Sequence, residues 1–290
     1  MAEPRWYYTR EEIEKNSPSR LDGMNFKDET IHRWCYTSFL QDLGHRLNHP
    51  QKSIATAIVL CQRFFTRQSI AKNDPRMVAT ICMFLAGKVE GSPRPAGDVL
   101  FFSHRLLFNK DPLIDAKFER LKATVFTGEK LVMATLGFDL DIEHPYKLVM
   151  DWVKRCVKAE DFRRVGQAAL NFVNNMLRTS LCLQFGPSQL GAGAIYLGLS
   201  LCKIKYLPCD GDKAWWVEFG ISKRQLKEIC DQTLDLYVQD FVVPAGARGF
   251  TSRHLLCYTA ASCTQRLYCL CQLLDHTLQF QLLQLESKNQ

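Results

Sequence analysis

The amino-acid sequence has no long hydrophobic run. Its longest apolar stretch, at positions 190–202, is interrupted by glycines and is too short for a bilayer crossing, which needs about 20 residues. The start, MAEPRWYYTREEIEK, is charged and aromatic and lacks the apolar segment of a secretory signal. We therefore expect a soluble protein with no membrane partner.

Charge of one sign is not concentrated anywhere in the sequence. The 37 basic and 30 acidic residues give a formal net charge of +7, without the Lys/Arg block that marks a nucleic-acid-binding or membrane-binding tail. An ordinary solvated exterior is the simpler interpretation of this balance. Contact with RNA or with a phosphorylated peptide stays open as an alternative.

Catalytic and metal-binding motifs are missing as well. The sequence contains no HExxH, GxSxG, CxxC or Walker loop, so we expect no enzyme activity and no cofactor. Eight of the twelve cysteines are scattered singly and are interpreted as reduced core thiols. The others lie near the C-terminus, where their spacing with a histidine does not fit a compact zinc finger, so no metal site is predicted. These residues are Cys257, Cys263, Cys269, Cys271 and His276.

Helical periodicity is what the sequence has in abundance. From position 28 to 138, apolar residues recur at three- and four-residue spacing, and alternating β-type runs are absent. Breakers separate the segments, among them Pro50, the Asp74-Pro75 pair that provides a cap and a first-turn proline, and Pro93. The pattern predicts helices at 28–47, 51–68, 74–91, 96–108 and 115–138.

A second set of five helices follows, which we predict at 146–157, 161–180, 188–204, 214–219 and 222–241. The third helices of the two sets resemble each other, since DPRMVATICMFLAGKV superposes on GPSQLGAGAIYLGLSL. The sequence therefore predicts an all-α fold that contains a duplicated helical domain. Small residues along both third helices let neighbouring helices cross closely, so we expect each to form the slim centre of a five-helix bundle.

Two charged residues stand out on otherwise apolar helices. Lys88 follows FLAG at the end of the third helix, and Glu129 precedes LVMATLGF in the fifth. Taken singly, the lysine is explained by the helix dipole and the glutamate by solvation. The second set of helices has Ser200 and Lys227 at the equivalent positions, so the scaffold does not require these charges. The asymmetry suggests a partner that docks on the first repeat.

The stretch FLAGKVEGSPRP, followed by GEKLVMATLGFDLDIEHPYK, resembles the cyclin box, in particular that of the plant cyclins of the transcriptional T type. WYYTREEIEKNSPSR, SFLQDLGHRL and NFVNNMLRTSLCLQF extend the resemblance over about positions 6–241. It implies tandem cyclin boxes in a regulatory subunit that is not itself an enzyme. The implied partner is a cyclin-dependent protein kinase of the transcription-elongation class, which this subunit activates as a heterodimer and which phosphorylates RNA polymerase II in the nucleus.

The resemblance also implies which residues bind the kinase. In cyclins, the lysine matched by Lys88 and the glutamate matched by Glu129 hold the activating helix of the kinase and nearby kinase backbone. The apolar part of that contact is expected to comprise Phe84, Val89 and Met133. The N-terminal segment, 1–27, is expected to contribute to the same contact. Its candidate residues are Trp6, Tyr7 and Tyr8.

The cyclin resemblance divides the chain further. The first cyclin box is expected at 28–143 and the second at 144–243. Residues 244–290 form a divergent tail rich in cysteine and leucine, and two alternatives stay open for it: an amphipathic helix that packs, or a disordered appendage. A regulatory protein or RNA partner also stays open.

Two departures from cell-cycle cyclins concern the first two helices. Gln62 stands where many of them have an aspartate that pairs with a first-helix arginine, so the partner of Arg33 is open. HRWCYTSFL does not reproduce their docking patch for substrate peptides, so recruitment of substrates by that route is not expected.

Three other interpretations share part of this pattern. A cyclin of the K or L type shares most of the motifs. A two-repeat nucleic-acid-binding factor of the TFIIB kind would be expected to carry an N-terminal zinc ribbon and a strongly basic second repeat, and neither is found in the sequence. A purely structural adaptor does not explain the asymmetry of Lys88 and Glu129.

Overall fold

The computed structural model describes residues 5–112, 114–204 and 214–238. Within these ranges the backbone forms helices, turns and loops without a strand, which confirms the all-α prediction. The tail predicted at 244–290, with its cysteines and His276, lies outside the described residues. The chain divides into two compact units.

The first unit comprises the described residues up to His144 together with Leu177–Gly186. Its central helix spans Pro75–Val89, packs against four neighbouring helices of the unit and is buried at every position from 78 to 87. This arrangement agrees with the apolar, small-residue pattern of that segment. The elements are α1 (Arg10–Asn16), α2 (Pro18–Leu21), α3 (Phe26–Arg46), α4 (Gln51–Phe65), α5 (Pro75–Val89), α6 (Ala96–Phe108), α7 (Ala116–Thr135) and a 3₁₀ turn at Leu181–Leu183.

Helix starts in this unit follow local chemistry. Asp74 caps α5 by accepting a hydrogen bond from the Arg76 N–H, and Pro75 occupies the first turn, as predicted. Asp115 caps α7 in the same way. By contrast, α4 and α6 begin directly after Pro50 and Pro95 with no side-chain cap. The first backbone N–H groups of these two helices therefore have no side-chain cap to satisfy them.

The second unit comprises Pro145–Met176 and the described residues from Pro187 onward. Its central helix spans Pro187–Cys202, packs against three other helices and a 3₁₀ turn of the unit and is buried from position 190 to 199. The small residues explain the close approach, since a Cβ on Gly198 would lie only 3.0 Å from the backbone nitrogen of Ala169. The elements are α8 (Tyr146–Cys156), α9 (Ala159–Met176), α10 (Pro187–Cys202), the 3₁₀ turn Trp215–Phe219 and α11 (Lys223–Val238).

The segment after α9 departs from the helix predicted at 161–180. The helix ends at Met176, and the carbonyl oxygen of Leu177 accepts a hydrogen bond from the Gln62 side chain at 2.6 Å. Further along, the carbonyl oxygen of Leu183 accepts one from the Tyr8 N–H at 2.8 Å. These bonds tie the segment into the first unit, and they replace the helical pattern that local sequence favours.

The cysteines of the described residues are mostly free thiols. Six are free, and burial raises the pKa of Cys35 to about 11, so this thiol is a poor nucleophile. Cys156 is disulfide-bonded, which departs from the expectation of a reduced thiol there. Among the described helices, none combines the length and apolar character that a membrane crossing needs. The free thiols are Cys35, Cys61, Cys82, Cys182, Cys202 and Cys230.

Candidate docking site on the first unit

Lys88 lies in the last turn of α5, where a cation interacts favourably with the helix dipole. The chain then turns sharply: the N–H of Ser92 donates to the carbonyl oxygen of Gly87 at 2.8 Å. Gly91 adopts a φ of +67°, a conformation that side chains disfavour. The turn fixes the end of α5 and holds Lys88 at the surface.

Glu129 lies in the middle of α7 and forms an ion pair with Lys88. The Lys88 Nζ and Glu129 Oε2 atoms are 2.8 Å apart. The lysine side chain is 44% exposed and the glutamate side chain 10% exposed. The pair therefore has a buried acceptor and an accessible cation. The two charges that the sequence singled out, 41 positions apart, are brought together by the fold.

Phe84 completes the support of this lysine. Its ring centroid lies 4.1 Å from Lys88 Nζ, within cation–π range. The ring is almost fully buried and meets Phe126 edge-to-face at 5.7 Å between centroids. Phe84 thus acts from beneath the surface, orienting the ammonium group.

The close approach of α7 to α5 depends on Gly128. A Cβ at this position would lie 2.4 Å from Ile81 Cδ1, so a side chain here would force the end of the Ile81 side chain to move. Gly128 was not predicted to be part of the site. The sequence did contain an indication of it, because this glycine lies in a helix next to the charged Glu129. The missing side chain leaves room for Ile81 of α5 directly beside Glu129.

The surface around the ion pair is apolar. Val89 is 38% exposed, next to Lys88, and Met133 is half-buried one turn after Glu129. Three further apolar side chains were not selected from the sequence, because periodicity alone does not distinguish an exposed apolar residue from a core residue. They are Phe126, whose ring meets that of Phe84, and Leu131 and Phe138, which lie on α7 and just after it; their exposures are 44%, 57% and 69%.

The three N-terminal candidates have different surroundings. Trp6 is buried, with the guanidinium groups of Arg63 and Arg67 lying 4.7 and 4.2 Å from its ring. Its Nε1–H donates to Asp139 Oδ2 at 2.6 Å. Trp6 therefore anchors the N-terminal segment on the first unit. A contact role for these residues stays a prediction, and Tyr7, at 45% exposure, has the more accessible side chain of the first two.

Tyr8 and Arg33 have partners within the unit. Tyr8 Oη donates to the carbonyl oxygen of Arg5. Arg33, whose partner the sequence left open, pairs with Glu29 one turn earlier on α3 at 3.1 Å, and both side chains are buried. Glu29 also accepts a hydrogen bond from Ser17 Oγ at 2.6 Å. A buried Ser17–Glu29–Arg33 cluster thus pairs the charge of the arginine without an aspartate on α4, while Arg33 Nε has no hydrogen-bond partner among the described residues.

The equivalent positions of the second unit have no such pair. Ser200 Oγ donates to the carbonyl oxygen of Tyr196 in its own helix. Lys227 pairs with Asp231 one turn further along α11, at 3.0 Å, and both side chains are exposed. The interhelical ion pair is therefore a feature of the first unit when the two equivalent sites are compared. In the described part of the chain, no group of three or more His, Cys, Asp or Glu side chains is arranged to hold a metal ion.

Comparison with known proteins identifies the family. The family model described as the cyclin N-terminal domain matches residues 5–141. Cyclin-T1-1 of Arabidopsis thaliana is 76% identical over 245 residues, which cover 84% of this chain and 98% of that relative. The chain belongs to the cyclin family.

Within the family, the chain groups with cyclins of the T type. Cyclin-T1-5 of Arabidopsis thaliana is 52% identical over 244 residues, covering 82% of this chain and 42% of that protein. Cyclin-T1-3 of Oryza sativa subsp. japonica is 50% identical over 250 residues, covering 84% and 50%. The chain thus spans half or less of the length of these two relatives. The T-type resemblance of the sequence is confirmed.

Solved structures show the same fold at low sequence identity. A chain in the crystal structure of the yeast RNA polymerase II CTD kinase CTDK-1 complex superposes with a TM-score of 0.68 at 18% identity, covering 85% of this chain and 81% of that one. A chain of the CAK complex from Chaetomium thermophilum gives 0.61 at 14% identity, covering 91% and 85%. The cyclin fold predicted from the sequence is confirmed.

Proposed function

We propose that this chain is the regulatory subunit of a cyclin-dependent protein kinase that acts in RNA polymerase II transcription elongation. The observation that carries the proposal is the Lys88–Glu129 ion pair, with its accessible cation and its apolar surroundings, on one repeat only. In this role the chain supplies binding energy, and the kinase subunit performs the chemistry. A nuclear location is part of the proposal, because the polymerase is nuclear.

The physical requirement for such a subunit is a rigid surface that fixes a mobile element of the kinase. An active kinase needs its β3 lysine paired with a glutamate on a movable helix. The pair formed by α5 and α7 is suited to hold that helix, because packing fixes Glu129 and Phe84 while the Lys88 ammonium remains reachable. Shifting the kinase from 1:99 to 99:1 active requires a differential affinity of about 5.5 kcal/mol.

Comparisons support the transcriptional part of the proposal. The similar sequences are named cyclins of the T type, and one structural neighbour belongs to a complex titled as an RNA polymerase II CTD kinase. The ion pair is the polar centre of the docking surface. Val89 and Phe126 are exposed apolar side chains, and removing them from water on docking would strengthen binding. No observation in the described residues favours nucleic-acid binding over kinase docking.

The test is activation of a purified elongation-type cyclin-dependent kinase, with polymerase-tail peptide as substrate. Wild type is compared with a Lys88→Ala/Glu129→Ala variant. Since Lys88 is nearly half exposed, the pair contributes only about 0–1 kcal/mol to folding, and the variant should remain folded. Truncating a charge pair that becomes buried in a complex costs about 2–5 kcal/mol of binding, so activation should be largely lost.

The second unit offers a matched control. Lys227→Ala/Asp231→Ala removes an ion pair of similar length at the equivalent surface, and it should activate the kinase like wild type. If both variants lost kinase activation to the same extent, the effect would be due to general surface charge and not to the Lys88–Glu129 site. Full activation by the Lys88→Ala/Glu129→Ala variant would refute the site, and the lack of binding to any such kinase would refute the function.

A further inference from the structure

The sequence contains two serines that are followed directly by proline, Ser17 and Ser92. Proline-directed protein kinases modify serines in this context, and neither serine hydroxyl is hydrogen-bonded to Lys88 or Glu129. Ser17 has the richer local motif, because Arg20 follows it at the third position. Sequence alone would therefore favour Ser17 as a substrate.

The structure makes Ser17 a poor substrate. It is 9% exposed, its hydroxyl donates to the buried carboxylate of Glu29 at 2.6 Å, and it caps α2 through the Arg20 N–H. A kinase could reach it only if this corner of the unit opened. A phosphate there would also face the Glu29 carboxylate, and the like charges would repel each other.

Ser92 is less deeply enclosed than Ser17. It lies in the short connection between α5 and α6, where Gly91, Pro93 and Pro95 are all exposed. Residues that precede a proline are held in extended conformations, which is the form in which kinases bind peptide substrates. Ser92 itself is half-buried, so a small opening of this connection would present its hydroxyl.

The Ser92 hydroxyl also points to a region that suits an anion. It lies 2.9 Å from Ser53 Oγ and 3.1 Å from His49 Nδ1, at the start of α4, which has no side-chain cap. Uncapped N–H groups and the helix dipole favour negative charge there. Two negative groups disfavour an anion at the same place: the C-terminal end of α5 and the Glu90 carboxylate.

Two cations offset those influences. Lys52, 61% exposed, is 2.7 Å from Glu90 and neutralises it. Arg94 donates to the carbonyl oxygen of Asn48, and its buried Nε has no hydrogen-bond partner among the described residues. A phosphoserine carries about −1.5 to −2 charge and three acceptor oxygens; Arg94 is two residues from Ser92, and Lys52 directly precedes the Ser53 that contacts it.

We propose that Ser92 is a phosphorylation site for a proline-directed protein kinase and that Ser17 is not. In the transfer step, Ser92 Oγ forms a bond to the γ-phosphorus of ATP. The bond from that phosphorus to the β,γ-bridging oxygen breaks, ADP leaves, and the hydroxyl proton passes to the kinase's catalytic base. The proposal does not depend on the docking site.

The experiment treats the folded full chain with a proline-directed kinase and ATP and locates phosphate by mass spectrometry of proteolytic fragments. We expect incorporation at Ser92 in wild type, its loss in Ser92→Ala and in Pro93→Ala, and no change in Ser17→Ala. Phosphate on Ser17, or undiminished incorporation in Ser92→Ala, would overturn the proposal. Pro93→Ala keeps the serine, so it distinguishes recognition of the motif from loss of the acceptor.

A second measurement tests the cationic surroundings. The phosphorylated wild type should melt at a higher temperature than the unmodified chain, and this gain should shrink in Arg94→Ala. Circular dichroism of each unmodified variant checks that it is folded. A lower melting temperature after phosphorylation of wild type would show that these surroundings repel the phosphate and would contradict the assignment of Lys52 and Arg94.

Discussion

Replacing Gly198 by alanine tests the crossing of α9 and α10 that centres the second unit. A Cβ at this position would lie 3.0, 3.1 and 3.2 Å from the N, Cβ and Cα atoms of Ala169. These atoms belong to a packed helix and cannot rotate away, so the overpacking should cost about 1–3 kcal/mol. Alanine recovers about 1 kcal/mol of helix propensity. The free energy of unfolding should therefore fall by about 1 kcal/mol, and by up to about 2 kcal/mol.

Two other glycines provide controls. In the same helix, a Cβ on Gly191 would meet the end of the Leu148 side chain at 3.0 Å, which can change rotamer, so Gly191→Ala should be near neutral. In the first turn of α6, a Cβ on Gly97 would meet nothing within 4 Å. Gly97→Ala should therefore stabilise the protein by about 0.4–1 kcal/mol.

The assay is urea unfolding followed by tryptophan fluorescence. Trp152, Trp215 and Trp216 are buried in the second unit, so they report on the helix crossing directly. The midpoint should shift while the slope stays constant, which marks a change in stability alone. A Gly198→Ala chain at least as stable as wild type, alongside a neutral Gly191→Ala, would refute the argument that backbone contact at Ala169 decides the outcome.

Three further predictions concern the first unit. Glu29→Ala leaves Arg33 buried without its carboxylate, so stability should drop by about 3–5 kcal/mol in thermal melts, and Arg33→Met in the same chain should restore part of the loss. Trp6→Ala removes the ring held by Arg67, at a cost of about 1–2 kcal/mol from cation–π contacts, so limited proteolysis should cut the N-terminal segment sooner. Burial lowers the pKa of His144 to about 4, whereas an unfolded histidine titrates near pH ~6.5. Protonation between these values favours the unfolded chain, so stability should fall as pH drops from about 6.5 toward 4, and by less in His144→Gln.

Each of these predictions has a contrary outcome. Equal stability of Glu29→Ala and wild type would mean that Arg33 finds another partner. An unchanged cleavage pattern for Trp6→Ala would show that the N-terminal segment is held by other contacts. Identical pH dependence of the wild-type and His144→Gln chains, measured by urea unfolding at two pH values, would show that His144 is not the titrating group.

The site was partly accessible from the sequence. Lys88 and Glu129 were selected because the second repeat lacks equivalent charges, and the fold joins them at 2.8 Å. The pairing of Arg33 with Glu29 was available from the four-residue spacing on one helix face. By contrast, Trp6 and Asp139 are 133 positions apart, and no local pattern indicates that they meet.

The sequence by itself determined the helical character, most helix starts and the two central helices, because apolar periodicity, caps and breakers act over a few residues. Tertiary structure decided which apolar residues stay exposed, where α9 ends, and how deeply each Ser-Pro serine is buried. The helix predicted at 161–180 stops at Met176 because Gln62, far away in sequence, takes the carbonyl oxygen of Leu177. Ser17 is held by Glu29. These features depend on contacts between residues that only the folded chain brings together.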